Sequence, residues 1–166
     1  KINIYRLMRG YTKMIKILFV CHGNICRSPM SQYILQDMVN KLHRSDDFEI
    51  SSAATSTEEI GNPVYPPAKR KLAEHGISCE GHHARQMTRA DYDYYDYLIV
   101  MDNWNLRNLK RFVPTDPKGK VHMLRDFTDQ PGEIADPWYT GDFEITYQQV
   151  VAGCQGLLRH IDECLK

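Results

Sequence analysis

A cysteine and an arginine, with five residues between them, lie in the segment CHGNICRS that spans residues 21–28. A thiolate is a strong nucleophile, and a guanidinium can hold two oxygens of a phosphate in a bidentate fork. Gly23 and Asn24 tolerate backbone conformations that point several N–H groups into one concavity, which suits an anion. The segment therefore predicts a phosphate-binding loop in which Cys21 attacks phosphorus and Arg27 grips the phosphate. The residues expected to contact the phosphate are His22, Gly23, Asn24, Ile25, Cys26, Arg27 and Ser28.

Further side chains fit the same chemistry. Ser28 can donate a hydrogen bond to the sulfur of Cys21, which would help the sulfur leave when water attacks a phosphoenzyme. The leaving oxygen of the substrate needs a proton, which is worth about 10²–10⁴ in rate. Asp136 is the predicted general acid because it stands in a loop beside two aromatic residues. Those residues, Trp138 and Tyr139, are expected to wall a cleft deep enough for a phenyl ring.

The predicted loop requires a strand before it and a helix after it. Residues 15–20 are apolar and β-branched enough to form a buried parallel strand. Pro29 suits the first turn of a helix, and the apolar spacing that follows predicts a helix over residues 29–43, with Ser28 in its N-cap region. The positive end of such a helix favours bound anions.

The remaining pattern alternates strands with helices. Strands are predicted at residues 48–53, 97–101 and 120–124. Helices are predicted at 68–75 after two prolines, 88–95 with Thr88 as cap, 103–112 with Asp102 as cap, and 143–161, while residues 125–141 are predicted to be a long loop. This order predicts an α/β fold, an open sheet of four parallel strands with helices on both faces. Ligands of such sheets bind beyond the carboxyl ends of the strands.

Length and composition limit the classes of function. The 166 residues suit one domain, which we predict over residues 14–166, and residues 1–13 are interpreted as an N-terminal extension or as residues foreign to the natural chain. Lys plus Arg and Asp plus Glu number 21 each, so the chain has no net charge that would attract nucleic acid or an anionic membrane surface. No apolar run approaches the roughly 20 residues of a membrane span. Five cysteines, an odd number, favour a reducing cytoplasm.

Residues 20–29, VCHGNICRSP, resemble the active-site loop of the low-molecular-weight protein tyrosine phosphatases. The likeness extends through residues 52–56, 75–77, 84–86, 97–102 and 136–139, and so covers about residues 15–165. It implies a flavodoxin-like sheet, a cysteinyl-phosphate intermediate at Cys21 and Asp136 as general acid, without metal or cofactor. It also implies phosphotyrosine proteins and aryl phosphates as substrates, inorganic phosphate as product and, we expect, a monomer.

The resemblance assigns further roles to residues around the loop. It implies a supporting network of Asn24, Ser28, Ser52 and His82 that holds the loop in a strained shape. It also implies that Cys26 is a redox partner, which forms a reversible disulfide with the nucleophile and protects it from overoxidation.

Four positions depart from relatives or distinguish among them. His22 stands where animal members usually have an apolar residue, and Glu58 and Glu59 stand where they often carry an aromatic one. We therefore expect a substrate cleft with an acidic rim, lined by His22, Glu58, Glu59, Trp138 and Tyr139. Ile25 resembles the tyrosine-specific members, whereas relatives that act on phosphoarginine have threonine there.

Two other functions are compatible with this scaffold. An arsenate reductase would need further cysteines to relay a disulfide, and only Cys79 lies in the expected region. A phosphoprotein-binding module without turnover would lack the nucleophile, the arginine or the acid, and this sequence contains all three. The sequence therefore favours a metal-independent phosphatase.

Overall fold

A parallel four-stranded sheet forms the centre of the molecule. The computed structural model describes residues 13–166, so nearly all of the predicted N-terminal extension lies outside the described residues. The strands are β1 (Ile15–Cys21), β2 (Phe48–Ala54), β3 (Tyr97–Val100) and β4 (Val121–Met123). They lie in the order β2-β1-β3-β4 and every pairing is parallel. The predicted α/β sheet is confirmed, and the strand order is that of flavodoxin-like folds.

Helices cover both faces of this sheet, as predicted. They are α1 (Arg27–Lys41), α2 (Pro66–Glu74), α3 (Ala90–Tyr94), α4 (Asn103–Leu109), α5 (Pro137–Thr140) and α6 (Phe143–Cys164). Because side chains alternate along a strand, Ile17 and Phe19 of β1 join the core under α1, α2 and α6. Leu18 and Val20 join the opposite core, which includes residues of α3 and α4. None of the helices described between residues 13 and 166 combines the length and apolarity needed to cross a membrane.

Two predicted helix caps are wrong. Helix α1 begins at Arg27, its N-cap residue is Cys26, and no side chain caps it, so Ser28 lies inside the first turn. The Ser28 hydroxyl instead contacts Cys21 and Asn24, which leaves the backbone N–H groups at this helix end available for an anion. Thr88 does not cap α3 with its side chain; its backbone N–H donates to the Asp91 carboxylate.

The segment predicted as one long loop contains ordered structure. A 3₁₀ helix spans Leu124–Phe127 and α5 begins directly after Asp136, whose carboxylate caps it by accepting from the N–H of Trp138 at 3.1 Å. Helix α6 packs closely on the 3₁₀ helix because Gly156 has no side chain, and a Cβ there would lie 2.2 Å from a backbone oxygen of Phe127. These contacts fix both ends of the segment that carries Asp136.

Candidate active site

One cavity of about 530 Å³ opens at the carboxyl ends of β1 and β3. Its lining combines residues of the Cys21 loop, defined as residues 21–28, with residues that follow β2, β3 and β4. They are Cys21, His22, Gly23, Ile25, Cys26, Arg27, Glu58, Glu59, Asp102, Trp104, Asp136, Trp138 and Tyr139. The predicted nucleophile, arginine, acid and cleft residues therefore share one cavity.

The side chain of Ser28 lies on the buried side of the Cys21 loop and contacts the sulfur of Cys21. The Oγ of Ser28 is 3.0 Å from the Sγ of Cys21, and both side chains are buried. Asn24 donates from Nδ2 to the same Oγ at 2.9 Å, which occupies an acceptor position of the hydroxyl. The hydroxyl proton of Ser28 is thereby left to donate to a thiolate at Cys21.

Asn24 links the loop to three other parts of the chain. It is fully buried with φ of 59°, a left-handed conformation that asparagine tolerates better than most residues. Its Nδ2 also donates to Ser52 Oγ at 2.8 Å, and its Oδ1 accepts from the N–H of Arg85 at 3.1 Å. His82 Nε2 donates to the carbonyl oxygen of Asn24 at 2.8 Å. The structure thus brings the four predicted supporting residues together.

His82 fits this position as a neutral imidazole. Burial lowers the pKa of His82, although its hydrogen bond to the carbonyl of Asn24 acts in the opposite direction. A neutral ring with its proton on Nε2 satisfies that carbonyl at no cost in buried charge. His83, the neighbouring residue, is exposed and contacts the carbonyl of Gly61 instead.

Arg27 is 3% exposed and is held by two carboxylates. Its Nη1 donates to Asp102 Oδ2 at 2.6 Å and to the carbonyl of Ile134 at 3.1 Å, while its Nη2 donates to Asp136 Oδ2 at 3.0 Å. Burial alone would lower the pKa of Arg27, but the negative charges of Cys21, Asp136 and Asp102 outweigh it and raise the pKa. The guanidinium is therefore a fixed, permanently charged group at the base of the cavity.

Asp102 has two roles in this arrangement. Its Oδ1 accepts from the N–H of Asn105 at 2.7 Å, which confirms the predicted helix cap. Its contact with Arg27 was not predicted. The sequence signal is that Asp102 directly follows a predicted strand, at the edge of the sheet where ligands bind; that β3 lies next to β1 is seen only in the structure.

The second cysteine of the loop is also buried. Cys26 is 7% exposed and lines the cavity. Burial, and then the negative charge of Cys21, raise the pKa of the Cys26 thiol far above its ordinary value. Cys26 is therefore a neutral thiol at physiological pH. All five cysteines of the chain are free.

Polar groups form one side of the cavity mouth. His22 Nε2 lies 3.0 Å from Glu58 Oε2, and both side chains are partly exposed. Glu59 packs over Gly23, where a Cβ would lie 3.3 Å from the Cγ of Glu59. The predicted acidic rim residues thus stand directly against the Cys21 loop.

Three exposed aromatic side chains also line the mouth. Trp138 is 56% exposed and its ring centroid lies 5.1 Å from that of Tyr65, while Tyr139 is 85% exposed. Trp104, which is 55% exposed, was not predicted to belong to the site. Its position two residues after Asp102, at the carboxyl end of a central strand, is the signal that could have identified it.

Asn24 and Ser28, which were predicted to contact the phosphate, do not line the cavity. Their side chains are fully buried behind the loop and join Cys21 to the rest of the network. The side chains on the cavity side of the loop are those of Cys21, His22, Ile25, Cys26 and Arg27.

Comparison with known proteins gives consistent matches. The family described as low molecular weight phosphotyrosine protein phosphatase matches residues 16–166. A rat protein of that name is 41% identical over 147 residues, which cover 86% of this chain and 92% of the relative. The crystal structure of YfkJ from Bacillus subtilis covers 91% of this chain and 96% of its own, with a TM-score of 0.87 and 36% identity. The crystal structure of a Drosophila arginine phosphatase covers 89% of this chain and 98% of its own, with a TM-score of 0.80 and 28% identity.

Proposed function

This chain belongs to the low molecular weight phosphotyrosine protein phosphatase family, and we propose that it hydrolyses protein phosphotyrosine through a cysteinyl-phosphate intermediate. The observation that carries this mechanism is the meeting of Cys21, Arg27 and Asp136 in one cavity, with Arg27 bonded to Asp136 at 3.0 Å. These three side chains supply a nucleophile, a phosphate-binding cation and a proton donor.

Phosphate binding uses the base of the cavity. Among the described residues, Arg27 has partners for both hydrogens of Nη1 and for one of Nη2. Its Nε–H and the second Nη2–H remain for two equatorial oxygens of the phosphate. The N-terminus of α1 adds backbone N–H groups and the positive end of the helix dipole.

The first chemical step transfers the phosphoryl group to sulfur. The Cys21 thiolate attacks phosphorus, so that the S–P bond forms while the bond from phosphorus to the tyrosine oxygen breaks. Asp136, as a carboxylic acid, gives its proton to the departing oxygen, and tyrosine leaves as a neutral phenol. Arg27 stabilises the charge on the equatorial oxygens throughout.

The second step releases inorganic phosphate. The Asp136 carboxylate takes a proton from a water molecule as that water attacks phosphorus, and the S–P bond breaks. The Ser28 hydroxyl donates a hydrogen bond to the departing sulfur. The distance of 3.0 Å between Ser28 Oγ and Cys21 Sγ supports this role. Asp136 thus regains in the second step the proton that it gave in the first. The proposed steps use only side chains and backbone groups of the described residues, without a metal or cofactor.

We infer that Cys26 protects the nucleophile from overoxidation. Peroxide would oxidise Cys21 to a sulfenic acid, and the Cys26 thiol would then condense with it to a disulfide and release water. Cys26 is buried beside the nucleophile and lines the same cavity, which supports this pairing. A thiol reductant should restore activity after peroxide treatment, whereas a Cys26→Ser variant should lose activity irreversibly.

Five free cysteines also support the inference of a cytoplasmic protein. We further propose that residues 14–166 act as a single domain and as a monomer, since one cavity within these residues already holds the proposed nucleophile, arginine and acid.

The test of the proposed function is turnover of p-nitrophenyl phosphate in EDTA by the wild type and by Cys21→Ser. We expect unchanged wild-type activity in the chelator and loss of at least about 10³-fold in the variant. Equal activity of the two proteins would exclude the cysteine mechanism. Cys164→Ser is the matched control, because this exposed cysteine lies outside the cavity.

A panel of phosphopeptides then tests the substrate class. The Drosophila relative is an arginine phosphatase, so the panel includes phosphoarginine beside phosphotyrosine and phosphoserine. Ile25 lines the cavity. Because isoleucine at this position resembles the tyrosine-specific members of the family, we expect phosphotyrosine to be preferred. Arsenate reduction coupled to thioredoxin, or tight phosphopeptide binding without phosphate release, would instead favour the two alternative functions.

A further inference from the structure

Trp104 has no packing role that explains its presence. It lies on the first turn of α4, and its side chain is 55% exposed. Leu106 and Leu109 of the same helix pack into the core, whereas Trp104 belongs to neither core cluster. An exposed indole leaves a large apolar surface in water, so its position at the mouth of a ligand cavity indicates a binding role.

The backbone that carries Trp104 is fixed relative to the phosphate-binding arginine. Asp102, two residues earlier, is bonded to Arg27 at 2.6 Å and to the N–H of Asn105 at 2.7 Å. The guanidinium of Arg107 lies over the indole, 5.4 Å from the ring centroid, and restrains its orientation. The backbone that carries the indole is therefore held at a set distance from the base of the cavity.

The opposite side of the mouth cannot provide the same surface. The strands β2 and β3 flank β1, so the loop after β2 and the helix after β3 stand on two sides of the Cys21 loop. The β2 side presents Glu58 and Glu59, which are charged. The aromatic surface of the mouth comes from Trp104 on the β3 side, from Trp138, which packs on Tyr65, and from the more exposed Tyr139.

We propose that Trp104 is a substrate-binding residue whose indole, together with that of Trp138, holds the aromatic ring of phosphotyrosine while the Cys21 loop holds the phosphate. This inference rests on the proposed function, because it concerns the same cavity. Trp104 thereby contributes to the selection of aryl over alkyl phosphate esters, since phosphoserine has no ring to contact. It acts on binding and takes no part in proton or phosphoryl transfer.

The experiment measures kcat and KM for phenyl phosphate, and the inhibition constant of inorganic phosphate, in Trp104→Ala, Trp104→Leu and Trp104→Phe. We expect KM to rise about 3- to 10-fold in the alanine and leucine variants, with the phenylalanine variant close to wild type. The kcat value and the inhibition constant of phosphate should change by less than about 2-fold, because the loop is untouched. Tyr94→Ala is the control, an aromatic 49% exposed and outside the cavity.

Unchanged KM in both Trp104→Ala and Trp104→Leu, with an active wild type, would overturn the inference and leave the proposed function intact. An equal rise in KM and in the inhibition constant of phosphate would also overturn it, since the substitution would then act through the loop. A wild type that does not hydrolyse phenyl phosphate would overturn the proposed function itself, and this inference with it.

Discussion

The floor and the mouth of the cavity are built in opposite ways. The floor, which comprises the Cys21 loop apart from His22, together with Ser52, His82 and Asp102, has Asn24 and Ser28 fully buried and Arg27 only 3% exposed. Its side chains form two hydrogen-bonded groups, one that joins Cys21, Ser28, Asn24, Ser52 and His82, and one that joins Arg27 to Asp102. The mouth, which comprises His22, Glu58, Glu59, Trp104, Trp138 and Tyr139, is largely exposed and held by few contacts. This contrast supports our proposal that the fixed floor performs the chemistry, whereas the exposed mouth selects the substrate.

Asp136 is the sharpest test of this division, because it lies between the two regions and is bonded to both Arg27 and the N–H of Trp138. Asp136→Asn retains the shape of the side chain but cannot donate a proton. We expect kcat to fall by about 10²–10⁴ with phenyl phosphate, and much less with an ester whose leaving group is a weak base. The measurement is kcat against the basicity of the leaving group, and an equal loss for all esters would contradict the role.

Asp142→Asn is the control for that measurement. Asp142 caps α6 in the same segment of the chain and lies outside the cavity, so it should leave kcat unchanged for every ester.

Asn24 tests how strongly the floor is held. Asn24→Ala removes three side-chain hydrogen bonds and places alanine at positive φ, so we expect the free energy of unfolding to fall by about 3 kcal/mol. Asn24→Gly should be less destabilising by about 1 kcal/mol, since glycine adopts positive φ freely. Urea denaturation measures the free energy of unfolding of both variants.

His43 is the control for this measurement. It has φ of 55° and is exposed, and His43→Ala should cost only about 1 kcal/mol. Equal losses for Asn24→Ala and His43→Ala would contradict the importance of the buried network.

The sequence predicted most of the floor and of the mouth, but it missed the contact of Asp102 with Arg27 and the place of Trp104, for a physical reason. The proposed nucleophile, the arginine and the glycine–asparagine turn lie within residues 21–28, between a strand and a helix. The local sequence pattern therefore predicts most of the geometry of this loop. The contact of Asp102 with Arg27 depends on which strands are neighbours in the sheet. Whether Trp104 lines the cavity depends on which loops meet at the carboxyl ends of those strands. The cap at Ser28 was wrong because tertiary hydrogen bonds to Cys21 and Asn24 outweigh a local preference.

The floor should also contribute a measurable pH dependence to stability. Burial lowers the pKa of His82 in the folded protein, so the unfolded chain binds the proton at a higher pH than the folded one. Stability from this group is therefore fully present above the unfolded pKa near 6.5, and it falls as pH decreases, by at most about 1.4 kcal/mol per pH unit. Urea denaturation between pH 7 and pH 5 should show a smaller slope in His82→Gln than in the wild type. His83→Gln, at the exposed neighbour, should retain most of the wild-type slope; equal slopes in the wild type and His82→Gln would contradict the assignment.

The mouth should respond weakly to the removal of its charges, and the response should depend on salt. Glu58 and Glu59 line the mouth, and the side chain of Glu58 is 67% exposed, so water and ions screen its charge. With Glu58→Gln and Glu59→Gln together, we expect the preference in kcat/KM for lysine-flanked over glutamate-flanked phosphotyrosine peptides to fall about 2- to 5-fold at low salt. The difference should largely disappear at about 0.5 M salt, where the screening length is only a few ångströms.

Glu80→Gln removes an acid outside the cavity whose side chain is 78% exposed, and it should leave the peptide preference unchanged. A change that persisted at high salt would mean that these residues act through the shape of the Cys21 loop, because Glu59 packs over Gly23. The two acids would then belong to the floor. A small, salt-sensitive effect would instead establish that the mouth selects substrates without altering the chemistry below it.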